Sequence, residues 1–132
     1  MRLAMILVVL AALIGLAVAE QVCVCKVYGH MGRETAAIVE SIKATPDVDN
    51  KADFSAIEKK VDDLHDYWTR KERGLGIIIK HIDLSYISDA LIYARNFIHS
   101  GNKEEAVGGF NRLEYLLKSY HKVYGFNGLN IL

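Results

Sequence analysis

The chain has few of the residues that cross-link or interrupt a fold, since its 132 residues include two Cys and one Pro. Two Cys are too few for a disulfide-stabilised miniprotein. One Pro and 52% hydrophobic residues argue against a disordered or loop-rich all-β chain. An excess of one charge is also missing, because 16 Lys and Arg balance 16 Asp and Glu. We therefore expect one helical, globular domain with no nucleic-acid partner.

Motifs for common enzyme chemistry are also missing from the sequence. It contains no Gly-rich phosphate loop, nucleophile elbow or zinc-protease helix. Most charged residues fall on the predicted outer faces of helices, whereas acid–base or nucleophilic catalysis needs convergent polar groups in a sheltered cleft. We therefore predict no enzymatic activity, no catalytic residue and no cofactor.

An uninterrupted apolar run occupies residues 3–19, preceded only by Met1 and Arg2. Inserting its ten Leu, Ile and Val residues into a bilayer contributes about −3 to −6 kcal/mol on the insertion scale. As a helix the run is about 25 Å long, slightly short of a hydrocarbon core of about 30 Å. The run predicts a membrane-directed helix, and the lipid bilayer is its expected partner.

Two fates fit this segment. Residues 17–19 (Ala-Val-Ala) before Glu20 match a signal-peptidase site, but the apolar run is longer than the usual ~7–15 residues of a signal core. We expect an uncleaved anchor over residues 1–24, with secretion after cleavage at Ala19 as the alternative. The short N-terminal flank is typical of a signal anchor, so we predict a single-pass cell-membrane protein with its C-terminal domain extracytoplasmic.

Cys23 and Cys25 follow the apolar run with one residue between them. A local disulfide would close a strained small ring, so free thiols or a bond between two chains is the first interpretation. A redox or metal role is the alternative, although one Cys pair supplies only half of a four-ligand site.

Residues 25–49 are predicted to form a membrane-proximal helix and a turn. Apolar residues recur loosely at helical spacing up to Lys43, and Gly29 and Gly32 weaken the pattern. Pro46 then predicts a turn. The candidate caps for the helix that follows are Asp47, Asp49 and Asn50.

Residues 50–132 carry three apolar stripes at helical spacing. The stripes are Phe54, Ile57, Val61, Leu64 and Trp68; Leu84, Ile87, Leu91, Ala94 and Ile98; and Ala106, Phe110, Leu113, Leu117, Tyr120 and Tyr124. Gly74 and Gly76 predict a bend or break after the first stripe. The pattern predicts an all-α fold, in which a membrane-directed helix precedes a small antiparallel bundle of three to four helices in two hairpins.

The ends of the later helices have their own signals. Asp83 or Ser85 is the predicted starting cap of the second stripe, and Gly101 suits the left-handed residue that ends it. Asn102 and Glu105 form a predicted capping box for the third stripe. The apolar residues 77–79 between the first two stripes are expected to be buried on more than one side.

The pattern of several of these residues resembles that of a bacterial protein family. Over residues 50–120, the positions of similarity are Trp68, His81, Ile82, Ile87, Leu91, residues 101–106, Leu113, Leu116 and Leu117. This pattern is similar to a family of small membrane-anchored helical proteins known only as domain of unknown function 4363. The resemblance implies an exported or single-span helical protein, and it implies no activity or cofactor. The Cys pair, the glycines near residue 75 and the apolar tail, residues 126–132, depart from the family pattern.

The best polar candidates for a site are Asp62, His65 and Asp66. Residues three apart share a helix face, so this set could present carboxylates and an imidazole to a metal ion. A solvated helix face is the simpler interpretation. His81 is expected to be a partly buried imidazole bonded to a helix end, with a pH-sensing or ligand role as its alternative.

The sequence favours a membrane-anchored interaction or accessory module that docks with another membrane or envelope protein or with a second copy of itself. Surplus apolar surface is expected at Tyr86, Ile92, Tyr93 and the tail. The alternative is an exported ligand- or metal-binding protein that uses His65 and nearby carboxylates. A third interpretation is an exported enzyme of unrecognised chemistry.

Overall fold

The computed structural model describes residues 1–48 and 51–124. Its first helix, α1 (Arg2–Ala44), has 43 residues and is therefore about 64 Å long. Gly29 and Gly32 do not interrupt it. The two halves of α1 differ in their surroundings, because large hydrophobic residues up to Val22 are exposed and those from Val24 onward are mostly buried.

Three further helices complete the bundle: α2 (Ser55–Leu75), α3 (His81–Ser100) and α4 (Lys103–Tyr124). Contacts across the bundle show that neighbouring helices run antiparallel, so that the last twenty or so residues of α1 pack against both α2 and α4. These contacts are Tyr28 with Trp68, Trp68 with Ser88, Tyr93 with Glu105, Asp83 with Tyr124, and Lys103 with Thr45. The described residues thus form an antiparallel four-helix bundle, and the all-α prediction is confirmed.

The core contains the apolar stripes of the sequence. All five residues of the first stripe and all five of the second are buried, as are the first four of the third. Tyr120 and Tyr124 lie partly buried at its edge. Hydrophobic periodicity therefore identified three of the four helix faces that meet in the core.

The fourth face belongs to α1. Its course differs from the prediction, which divided the chain into segments at residues 24 and 50. The residues of α1 that are buried in the bundle are Val24, Val27, Tyr28, Met31, Thr35, Ile38, Val39 and Ile42. The helix has no boundary near residue 24, and residues 24–44 belong to the bundle rather than to a separate membrane-proximal segment. Three amphipathic helices would leave this part of the core open to water.

The chain turns after α1, which ends at Ala44 as the turn signal predicts. Two short strands follow, β1 (Asp47–Val48) and β2 (Lys51–Ala52), paired antiparallel with Asp47 opposite Ala52. The backbone N–H of Ala52 donates to the carbonyl of Gly101 at 3.0 Å, which ties this turn to the turn between α3 and α4. The predicted caps Asp49 and Asn50 lie outside the described residues.

The α2–α3 turn confirms one prediction and contradicts another. Helix α2 ends at Leu75, within the predicted break. Ile77, however, is 87% exposed while Ile79 is 2% exposed, so the expectation that residues 77–79 are buried on several sides was wrong. The N–H groups of Ile78 and Ile79 both donate to the carbonyl of Leu75, and this tight turn directs successive side chains differently.

The helix caps agree with the sequence in part. Gly101 adopts φ 73°, and the Asn102 side chain accepts from the N–H of Glu105 at 3.2 Å, both as expected. The other half of the capping box was wrong, because the Asn102 N–H donates to the Phe97 carbonyl and the Glu105 carboxylate accepts from Tyr93. Helix α3 begins at His81 rather than at Asp83 or Ser85, and its preceding residue, Lys80, provides no side-chain cap. Asp83 instead lies in the first turn and bonds to another helix. The predicted apolar tail, residues 126–132, lies outside the described residues.

Candidate functional site

The apolar half of α1, together with Met1 before it, carries 13 of the 20 large hydrophobic residues that are exposed in the described chain. An 18-residue window of this helix has a mean hydropathy of 2.6, and none of it is buried against the bundle. The helix is long and apolar enough to cross a membrane, by length and composition. A signal sequence near the N-terminus satisfies the same criteria. No other described helix meets them.

The two cysteines lie where α1 passes from its exposed half into the bundle. Both are free, Cys23 exposed and Cys25 partly buried. Residues two apart on a helix point to different sides, so the two thiols do not face each other. The geometry disfavours a local disulfide, so free thiols or a bond between two chains stays the first interpretation.

Asp62 is directed across the α2–α3 interface. Its carboxylate accepts from Arg95 Nε at 2.7 Å and lies 3.3 Å from His99 Nε2. The hydrogen bond from Arg95 lowers the pKa of the Asp62 carboxyl. His99 Nδ1 also lies 3.8 Å from a Glu58 carboxylate oxygen, which makes a four-residue polar network on this face.

The metal candidates do not assemble into a ligand set. His65 Nδ1 lies 3.7 Å from an Asp66 carboxylate oxygen, whereas Asp62 is engaged by Arg95. Within residues 1–48 and 51–124 no group of three or more His, Cys, Asp or Glu side chains is arranged to hold a metal ion. The spacing of Asp62, His65 and Asp66 indicated a shared helix face, but it could not show that Arg95 on α3 pairs with Asp62.

The aromatic and histidine candidates are dispersed rather than convergent. His81 is exposed at the start of α3, so the expected partly buried imidazole was wrong. Trp68 is buried, Tyr67 packs on His30 with ring centroids 4.3 Å apart, and Tyr115 is 70% exposed. These aromatic residues do not line one groove for a small molecule.

The structure brings together a polar and aromatic cluster that the sequence did not suggest, at the bundle end from which the exposed half of α1 emerges. The Tyr124 hydroxyl donates to Asp83 Oδ2, joining the end of α4 to the start of α3. Nearby, Trp68 Nε1 donates to Ser88 Oγ at 2.7 Å, and Ser88 Oγ donates to Glu72 Oε1 at 2.7 Å. These bonds fasten α2, α3 and α4 to one another.

Burial and charge alter the tyrosines of this cluster. The hydrogen bond to Asp83, followed by burial, raises the pKa of Tyr124 to about 12. Burial is the largest cause that raises the pKa of Tyr28, whose hydroxyl is buried with no hydrogen-bond partner in the described structure. The tyrosines are thus held neutral, which suits a structural role better than proton transfer at neutral pH. Asp83 and Tyr124 are 41 positions apart, and no local pattern links them.

Exposed apolar side chains also follow one face of α3. Tyr86, Ile92 and Tyr93 are exposed, as expected, and so is Ile82. Ile82, Tyr86 and Tyr93 are spaced four and seven apart, so they share a face, while Ile92 lies to one side. The Tyr93 ring packs on Phe97, with centroids 4.7 Å apart, and its hydroxyl donates to Glu105. This α3 face, defined by Ile82, Tyr86 and Tyr93, is therefore exposed, and the Tyr93 side chain on it is held in place.

Comparison with known proteins identifies no relative: no family model, curated protein or solved structure matches the chain. Three features of the molecule itself bear on its function. These are the exposed apolar half of α1, the packed bundle that continues from it, and the α3 face.

Proposed function

We propose that this protein is a non-enzymatic, single-pass membrane protein that displays a helical bundle on the extracytoplasmic side, where the bundle docks with another membrane or envelope protein. One observation carries the proposal. Helix α1 is continuous from Arg2 to Ala44, with an exposed apolar half and a half built into the bundle core. These two environments are those expected of a helix whose residues before residue 24 are surrounded by lipid and whose later residues pack against protein.

Energetics support membrane insertion of the first half. The side chains of Leu7, Leu10 and Leu13 are all more than half exposed, so water would contact a long apolar surface if no bilayer were present. Arg2 directly precedes the apolar run, and a positive charge at that end of a span favours its retention inside the cell and export of the rest. The proposed topology follows from these two features.

The α3 face is the proposed docking surface. Tyrosine is enriched at protein interfaces because it combines a large apolar ring with a hydroxyl and loses little conformational entropy. Tyr93 is already fixed by Phe97 and Glu105, so binding a partner would not need to order it. The mechanism is docking and local concentration beside the membrane rather than bond making.

Anchoring is tested by placing charge in the apolar half of α1. Each Arg near the centre of a span costs about 2.5–3.5 kcal/mol, so Leu7→Arg with Leu10→Arg should cancel the favourable insertion of the whole run. We expect the full-length variant to leave the alkali-resistant membrane pellet, while the matched Leu7→Ile, Leu10→Ile variant stays in it.

Retention of the double-Arg protein in the pellet would contradict the anchor. The mass of the native N-terminus supplies an independent check. A chain that begins at Glu20 would be a free exported domain, and because the buried residues of α1 begin at Val24, it would keep its entire core. That result would therefore contradict the anchor and indicate a secreted domain that is still folded.

Docking is tested by photocrosslinking in intact membranes. A photoreactive residue placed at Tyr86 should give a discrete protein adduct, because the α3 face is then in contact with the partner. The matched control is the same residue at Tyr115, which is exposed on α4 and outside the proposed surface. We expect the adduct yield at position 86 to exceed that at position 115 by at least about fivefold, because only position 86 lies on the proposed interface. Equal yields at both sites, or recovery of lipid adducts and monomer alone, would refute the docking surface.

A further inference from the structure

The end of the bundle that carries the α2–α3 turn lies level with the end of the apolar run. Tyr28, Trp68 and Ser88 lie at one level along the bundle axis, because the ring centroids of Tyr28 and Trp68 are 6.4 Å apart and Trp68 donates to Ser88. From that height α2 continues seven residues to Leu75, about 10 Å, and the same length back along α1 reaches Gln21. The α2–α3 turn therefore stands beside residues 20–22, where the apolar run gives way to polar sequence.

Apolar side chains project from this end. Ile77 in the turn is 87% exposed, and Ile82 in the first turn of α3 is 58% exposed. The turn is well fixed, because Ile79 is buried in the core and the N–H of Ile79 donates to the carbonyl of Leu75 at 2.8 Å. The exposure of Ile77 is thus a property of a packed turn, and nothing in the described chain covers it.

The same end has a surplus of basic side chains. Residues 20–26 and 69–84 contain five Lys or Arg and three Asp or Glu. Two of the acids are engaged within the bundle, Glu72 by Ser88 and Asp83 by Tyr124. Arg73 and Lys80 on either side of the turn are exposed. An anionic surface would therefore meet mainly positive charge here.

We propose that this end of the bundle, which we call the basal turn (residues 73–80), rests on anionic lipid headgroups of the bilayer that α1 spans. Ile77 enters the interfacial region, and Arg73 and Lys80 face the phosphates and carboxylates of the lipid. The inference depends on the proposed anchoring, because the basal turn lies at the end of the bundle from which α1 would enter the membrane. Lipid is the occupant that fits, since a bilayer spanned by α1 must begin at the height of this turn.

The experiment measures the depth of the basal turn in the full-length protein. An environment-sensitive fluorophore is attached to Ile77→Cys in a Cys23→Ser, Cys25→Ser background, and the matched control carries it at Glu104→Cys, at the opposite end of the bundle. Both proteins are reconstituted in vesicles of phosphatidylcholine alone or of an equal mixture with phosphatidylserine, each with a headgroup spin-labelled lipid. We expect quenching at position 77 to exceed that at position 104 by at least about threefold and to rise further with phosphatidylserine.

Charge reversal provides the second readout. Arg73→Glu with Lys80→Glu should remove the dependence on phosphatidylserine, whereas Lys43→Glu with Lys60→Glu, far from the basal turn, should preserve it. Equal quenching at positions 77 and 104 in a protein that floats with the vesicles would overturn the lipid contact and leave the anchor standing. A blue shift at position 77 without quenching would mean that a second copy covers the turn and would equally overturn it. Failure of the labelled protein to float would overturn the anchor and the lipid contact together.

Discussion

Trp68→Ala is expected to lower the free energy of unfolding by about 3–5 kcal/mol, the usual cost of removing a large aromatic side chain from a core. Trp68 is almost completely buried, lies against the Tyr28 ring, and donates to Ser88 Oγ at 2.7 Å. Its loss would leave a cavity where α1, α2 and α3 meet. Denaturant unfolding of the full chain in detergent, followed by far-ultraviolet circular dichroism, measures the change.

Trp68→Phe is the matched control for this core position. Phenylalanine keeps much of the ring volume but cannot donate to Ser88, so the loss should be clearly smaller than for alanine and should include about 1 kcal/mol for the missing hydrogen bond. If Trp68→Ala unfolds within 1 kcal/mol of the unsubstituted protein, the junction of the three helices is not packed as described.

Gly109→Ala is expected to destabilise the bundle by about 1–3 kcal/mol through overpacking. A Cβ at Gly109 would lie 2.8 Å from the Ala94 Cβ and 2.9 Å from the Ala94 Cα. Because the second of these atoms belongs to the backbone of α3, relief requires the two helices to move apart rather than one side chain to rotate. Thermal unfolding of the full chain in detergent reports the change as a lower midpoint.

The adjacent glycine offers a closely matched control. A Cβ at Gly108 meets nothing within 4 Å, so Gly108→Ala should stabilise α4 by up to about 1 kcal/mol through helix propensity alone. Opposite signs at two neighbouring positions would identify the α3–α4 approach as the cause. The same sign at both positions would rule out close contact at Gly109.

Three helix faces were predictable because each repeats apolar residues every three or four positions. Leu84, Ile87 and Leu91, for example, have to share a side if the segment is helical, and burial of that side follows from the hydrophobic effect. The roles of Gly101 at a left-handed helix end and of Asn102 as a side-chain cap were equally predictable, because both are local requirements of a helix end.

The role of the second half of α1 was harder to predict. Its buried positions lie among exposed residues such as Arg33 and Glu34, and the adjoining apolar run dominates any hydropathy profile of this region. Nothing local shows that Tyr28 meets Trp68, because the partner lies 40 residues away on a different helix. The need for a fourth face becomes visible only when the other three are assembled.

The polar partners could not be predicted from spacing. Asp62 meets Arg95 across 33 positions of sequence, and this contact changes a candidate metal ligand into one member of an ion pair. Asp83 was expected to cap its own helix, yet its carboxylate accepts from Tyr124 on α4. Side chains of this kind have several possible partners, and the packing of the helices decides which one is within reach.

In the proposed membrane protein, the unbroken course of α1 would link the bundle mechanically to the bilayer. The portion of α1 within the bundle, residues 24–44, is about 30 Å long and ends beside Lys103, which donates to the Thr45 carbonyl. With no hinge between the two halves, a span tilt of about 20°, the average for transmembrane helices, would swing the far turn sideways by about 10 Å. The tilt of the span would thereby set the inclination at which the α3 face is presented to its neighbours.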